Sequence, residues 1–417
     1  MTSNDRQGIP AAPGASHGAV PDPALLRGLT RRRFDRRDLL RLTGAAGSAA
    51  LLAACGVKGE AGDSAQAADV AGYWAGKAKA GTLDFANWPL YMDVGSTDAV
   101  HPSLDLFTQE TGIKVTYREV IQENESFFAQ IRPSLAENQP IGYDLMVLTN
   151  GITLSRVIQL GYLAPLDHKR LPTFAANADP SVKDPAYDPG NQFTVAWQSG
   201  ITGIAYDPEK TGREITSFAD LMDPAFAGKV GMFGENQELP NLALLGIGVA
   251  PADSAPEDWR RAADKLIEQR DAGIVRKYYD QSYIDSLAGG DLWISMAWSG
   301  DVYQQLAAGT KLKFVVPEEG GLIWTDSMCI PRTAAHPVDA LAYMDFVYRP
   351  GVAGMLAEYI NYITPVPAAR DHVSPELAES TLLFPTRAEL DRVHRFRVLT
   401  TEEETEWNKI FQPVYQS

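Results

Sequence analysis

Three short segments concentrate aromatic side chains beside carboxylates: Phe85-Ala86-Asn87-Trp88-Pro89-Leu90-Tyr91, Met296-Ala297-Trp298-Ser299-Gly300-Asp301, and Glu318-Glu319-Gly320-Gly321-Leu322-Ile323-Trp324-Thr325-Asp326-Ser327. Tryptophan and tyrosine faces attract ammonium groups, each contact worth ~0.5–2 kcal/mol. The same faces pack against methylenes, while carboxylates accept charge-assisted hydrogen bonds from a cationic end. Asp326 follows Trp324 by two residues, so on an extended strand both project from one face. That pattern suits a cationic, partly alkyl ligand. The same tryptophans would serve equally as core or lobe-contact residues.

Signatures of covalent or metal chemistry are missing. The six histidines, His17, His101, His168, His336, His372 and His394, are scattered, with no His-x-x-x-His spacing and none near a cysteine. No Gly-x-Ser-x-Gly or Gly-x-Gly-x-x-Gly motif occurs. Gly228-Lys229-Val230 faintly echoes a phosphate loop, but Asp223 stands where its first glycine belongs and Val230 where its hydroxyl belongs. The two cysteines, Cys55 and Cys329, exclude a disulfide framework, and Cys329 in a strand-like run reads as a small core hydrophobe. The expectation is a protein that is not an enzyme and carries no cofactor and no metal. A net charge of −16 excludes general nucleic-acid binding, which needs basic surface, and leaves room for a cation.

The elements that would position these residues alternate strand and helix from residue 82. Strands are expected at 82–87, 113–117 and 143–148, with helices at 102–110 and 123–135 between them and Gly112 as a C-cap. That order implies a largely parallel sheet with helices on both faces. Farther on, 193–197 and 201–206 read as two strands parted by Gly200. Helices are expected at 254–270, 302–308, 336–348 and 352–359, and strands at 292–297 and 313–316. With 417 residues and 45% apolar side chains, two α/β lobes are the natural solution, a ligand crevice lying at strand ends or between domains.

Ahead of the folded part, residues 1–29 have no helical or strand period. An arginine-dense block, Arg31 to Arg41, then precedes the uncharged stretch Leu42–Ala54 and Cys55. Paired arginines before a short apolar run resemble a twin-arginine export signal, in either of two registers, with Arg36-Arg37 preferred. Leu52-Ala53-Ala54-Cys55-Gly56 resembles a bacterial lipobox, which implies acylation of Cys55. Residues 1–55 are thus read as a twin-arginine lipoprotein signal peptide and 56–81 as a flexible tether. The expected location is the outer face of the cytoplasmic membrane or the periplasmic space.

Residues 83–91, then Phe107 with 111–115 and 143–145, resemble the spermidine/putrescine-binding proteins of bacterial ABC importers. The likeness continues through 318–327, Tyr362-Ile363-Thr364-Pro365 and Ala368-Ala369-Arg370, and spans roughly 82–390. It implies a bilobal periplasmic-binding-protein fold with mostly parallel sheets and a hinge. Lobe 1 would comprise 82–197 and 326–370, lobe 2 198–325 and 371–417, with chain crossings near 195–205 and 320–328. It also implies capture of a polyamine, spermidine or putrescine, for delivery to a membrane permease by a monomeric, lipid-anchored receptor.

By position, the family's ligand-binding residues fall on Trp88, Tyr91, Thr149, Glu235, Glu238, Trp298, Trp324, Asp326 and Tyr362. Two departures stand out: Gly151 falls where spermidine binders have tyrosine, and Glu235 replaces the usual aspartate. The family's late glutamine has no counterpart assigned here; Arg395 or Arg397 lies in that stretch and would disfavour a cation if it faced the pocket. Three carboxylates, Glu235, Glu238 and Asp326, match a triamine, while a diamine needs only part of the set. The alternatives are the same receptor class for a cationic amino acid, opine or sugar, and a surface enzyme on this scaffold.

Overall fold

The computed structural model describes residues 69–95, 100–235 and 237–416. The expected export signal, Cys55 and most of the expected tether lie outside the described residues.

Among the described residues ten strands form one sheet: β1 (Thr82–Asn87), β2 (Lys114–Glu119), β3 (Leu145–Thr149), β4 (Thr194–Tyr206), β5 (Val230–Phe233), β6 (Val275–Tyr279), β7 (Ile294–Trp298), β8 (Lys313–Val315), β9 (Gly321–Cys329) and β10 (Val393–His394). The order is β2-β1-β3-β9-β4-β7-β5-β6, with β10 on β9 and β8 on β4. Pairing is parallel in β2-β1-β3 and in β6-β5-β7. Every antiparallel pairing between these strands involves β4 or β9. The expectation of a mostly parallel sheet therefore describes the two flanks and fails at the centre, where these two long strands join them. The reason is topological. A strand leaving one parallel set for the other runs against its neighbours, and no local periodicity encodes that.

The longer helices are α1 (Pro102–Thr111), α2 (Asn124–Ala136), α3 (Ile152–Gln159), α4 (Glu238–Gly246), α5 (Pro256–Asp271), α6 (Ser299–Ala307), α7 (Pro337–Phe346), α8 (Pro350–Ile360) and α9 (Thr401–Phe411). Their ends follow local chemistry. Gly112 caps α1 in the left-handed region at φ 73°, and the Glu123 carboxylate caps α2 by accepting from the Glu125 and Ser126 amides. The two helices expected at 336–348 and 352–359 are separate, and Pro350 opens the second, α8, where its missing N–H costs nothing.

The helices cover a core in two clusters. One holds Phe85, Trp197 and Tyr343; the other holds Phe127, Phe128, Met146 and the free Cys329, whose burial matches its expected role. Two further expectations are corrected. The strands at 193–197 and 201–206 are one strand, β4, buried throughout, with an irregularity between Ala196 and Gln198 and none at Gly200. The last part of the expected tether is not free: residues 70–74 form a helical turn, and the buried Trp74 donates to Pro165 O at 2.7 Å. The amides of Ala80 and Gly81 donate to the Asp339 carboxylate at 2.9 Å.

Candidate functional site

The carboxyl ends of β1 and β7 lead into two of the segments singled out above, β3 ends on Thr149 and β5 just before Glu235, and the central strand β9 carries Trp324 and Asp326. After β1 the chain turns sharply. The Asn87 side chain accepts from Trp88 N at 2.9 Å and donates to Tyr91 O at 3.2 Å, and Leu90 sits at φ 59° with its amide on Glu119 Oε1. This turn delivers Tyr91 to Asp326 Oδ2 at 2.6 Å. From the other side Thr149, the cross-strand partner of Asp326, donates to Oδ1 at 2.6 Å.

Rings and phenols extend the cluster. Tyr362 packs edge-on to Tyr91, centroids 5.9 Å apart, and against Trp324 at 5.3 Å. Its hydroxyl donates to Asp301 Oδ1 at 2.7 Å, while Tyr283 donates to Oδ2 at 2.9 Å. The Tyr283 oxygen also accepts from Trp298 N at 2.9 Å. The Trp298 indole donates to both oxygens of Glu238, at 3.0 and 2.8 Å, and Thr202 donates to that carboxylate as well. A continuous polar and aromatic network thus links Thr149 to Glu238.

Its centre is secluded, with Asp326 5%, Trp324 6%, and Tyr362 and Glu238 each 8% exposed, while Thr149, Trp298 and Asp301 are half-buried. Among the described residues no lysine, arginine or histidine forms an ion pair with Glu235, Glu238, Asp301 or Asp326. Burial pushes Asp326 up to about 6, against the opposing hydrogen bonds from Thr149 and Tyr91. Burial raises Glu238 as well, reinforced by the neighbouring Glu235 and Asp326 charges. Glu235 and Asp301 are likewise raised, chiefly by burial. Burial also holds the phenols of Tyr91, Tyr283 and Tyr362 well above the usual value, so they remain neutral donors. Carboxylates removed from water without a countercharge are costly in their ionised form. A cationic group among them would remove that cost.

Seven of the nine expected residues, Tyr91, Thr149, Glu238, Trp298, Trp324, Asp326 and Tyr362, lie in this network. The other two sit at its margins. Trp88 spends its indole N–H on Val147 O at 3.1 Å and packs against both core clusters. Glu235 accepts from Gln237 N at 2.8 Å and from Glu238 N, so its carboxylate serves the first turn of α4. Arg395 donates to Ser181 O and Arg397 to Ala252 O and Glu403, so each guanidinium is engaged away from the four acids. Sequence reasoning missed Asp301 and Tyr283. Asp301 stood in the second aromatic segment, and its one available signal was its place three residues after Trp298, one helical turn on.

A sheet with two parallel flanks joined by two long antiparallel strands, and an acidic aromatic cluster at the strand ends, defines a bilobal α/β binding protein. The chain belongs to the family of bacterial extracellular solute-binding proteins, whose model matches residues 143–393. It is 31% identical over 309 residues to the spermidine/putrescine-binding periplasmic protein of Escherichia coli, covering 73% of this chain and 83% of that one. It is 27% identical over 324 residues to the putrescine-binding periplasmic protein PotF of the same organism, at the same coverage. Among solved structures, the spermidine/putrescine substrate-binding protein PotD of Streptococcus pneumoniae superposes with a TM-score of 0.69. That match is at 23% identity and covers 80% of this chain and 98% of that one, which supports the fold. No helix among the described residues is long and apolar enough to cross a membrane.

Proposed function

We propose that this protein captures a linear polyamine, spermidine or putrescine, in the crevice and delivers it to the transmembrane subunits of an ABC importer. The observation that carries this is the set of carboxylates without an ion-pair partner, the buried Asp326 and Glu238 and the half-buried Asp301, interleaved with Trp324, Trp298, Tyr91 and Tyr362. Ammonium ends would supply the missing countercharge, and the rings would cover the alkyl chain. Loss of one partner of such a desolvated pair typically costs ~2–5 kcal/mol, well above the ~0–1 of a surface pair.

In this reading lobe 1 comprises 82–197 and 326–370 and lobe 2 comprises 198–325 and 371–417, with β4 and β9 as the crossing strands. Ligand contacts from both lobes form together only when they close, so binding shifts the population toward the closed form. Export by the arginine-rich leader and anchoring through a lipid on Cys55 complete the proposal, leaving a single-chain receptor beside its permease. Binding, with no reaction catalysed, fits the lack of any nucleophile or hydrolytic motif in the sequence.

Fluorescence titration tests it, since Trp298 and Trp324 would report directly. Putrescine or spermidine should saturate the signal at roughly micromolar concentration or below. Arginine, opines and neutral sugars should not. Saturation by a sugar with no response to polyamines would overturn the assignment.

A further inference from the structure

One side chain bridges the two flanks of the sheet without being part of the acidic network. Gln237 precedes α4 at the end of the β5 flank, and its carboxamide reaches the segment after β3 on the other flank. There Nε2 donates to Asn150 O at 3.0 Å and Oε1 accepts from Ile152 N at 2.9 Å. Both ends of this bridge are held. The Gln237 amide donates to Glu235 at 2.8 Å and its carbonyl accepts from Asn241 Nδ2 at 2.7 Å. Asn150 in turn exchanges hydrogen bonds with Thr325 of β9, at 2.7 and 2.9 Å.

Between the two contacted backbone groups lies Gly151, at φ 136° and ψ −149°, a conformation open essentially to glycine alone. A Cβ there would stand 1.8 Å from Gln237 Oε1. The glycine is therefore required twice, by its own backbone and by the carboxamide lying over it.

We infer that Gln237 is an affinity-determining residue of this receptor: its carboxamide ties the two flanks of the sheet across the crevice and sets how readily they close around any ligand. The inference rests on the bilobal closing receptor proposed above but names no ligand. Both partners of the bridge belong to the protein, so it stabilises the closed form to the same extent whatever occupies the crevice. It therefore multiplies the affinity of every ligand that needs closure by one factor. Two hydrogen bonds of ordinary net strength correspond to a factor of about ten.

The test uses the intact chain and two variants. Gln237→Ala removes the bridge; Gly151→Ala keeps Gln237 but puts a methyl where its oxygen lies. Small-angle scattering without added ligand should show a larger radius of gyration for both variants than for the parent. Affinities for putrescine and spermidine should fall about tenfold by a common factor, with far-ultraviolet circular dichroism unchanged. A folded Gln237→Ala protein with unaltered scattering and affinities within twofold of the parent would overturn the inference. So would a loss confined to one polyamine, which would make Gln237 a ligand contact. Should no polyamine bind the parent, the ligand assignment fails, and the scattering comparison alone still decides on Gln237.

Discussion

Asp326 concentrates the electrostatic problem of the crevice in one side chain. It is buried, accepts from Tyr91 and Thr149, and its carboxyl titrates near 6 because burial outweighs those two hydrogen bonds. Its proton is held more tightly in the folded chain than in the unfolded one. The stability this contributes is fully present below the unfolded value of about 4 and is lost as pH rises through about 6. An ammonium ligand works in the opposite sense, favouring the ionised carboxylate. Polyamine affinity should therefore rise from about pH 5 to about pH 7. Binding near pH 6 should release protons, read as a dependence of calorimetric heat on the buffer's ionisation enthalpy. Flat affinity with no proton release would mean that Asp326 does not meet the cation. Trp324 and Asp326 were legible as a pair because a spacing of two fixes one face of a strand. Asp301 was not, since its partners Tyr283 and Tyr362 lie 18 and 61 residues away and nothing local announces them.

Among the elements, β4 shows what local reading yields and where it stops. Its apolar content marked it as strand, and the flanking boundaries fell within a residue or two. The sequence marks Gly200 as a break, because glycine usually interrupts a strand. In the folded chain Gly200 lies opposite Trp324, and a Cβ there would come within 2.3 Å of the indole. The glycine makes room for a ring supplied from 124 residues farther along the chain, which no window on the sequence can see. Gly200→Ala should consequently displace the indole, costing roughly 1–3 kcal/mol of stability as overpacking does. It should also weaken polyamine binding while the strand itself persists. Thermal denaturation and tryptophan emission would measure this, and a variant with parental melting temperature, emission and affinity would contradict the packing described. Capping was read more securely: Gly112 ends α1 as expected because that signal is local.

At the scale of the whole molecule, the alternation of strand and helix was legible, and the resemblance supplied the bilobal plan. The placement of β9 between β3 and β4 was not, because the register that joins them belongs to pairings more than a hundred residues apart. The acidic balance, −16 over the full sequence, agrees with a receptor for cations and excludes little else. In the proposed reading, anchoring belongs to the leader. Cys55→Ala should abolish fatty-acid labelling and membrane association, and equal label on variant and parent would remove the lipoprotein reading.

The central claim is that buried carboxylates without a countercharge bind a linear alkyl cation. Calorimetric titration of the parent and Asp326→Asn chains with putrescine, spermidine and the neutral isostere butane-1,4-diol tests it most directly. The substitution keeps the shape of the side chain and deletes its charge. The account predicts saturable binding of at least one polyamine by the parent, no measurable binding of the diol, and at least a tenfold weaker polyamine affinity in Asp326→Asn, about 1.4 kcal/mol or more. Equal binding of diol and diamine, or an Asp326→Asn chain that binds polyamine like the parent, would contradict it.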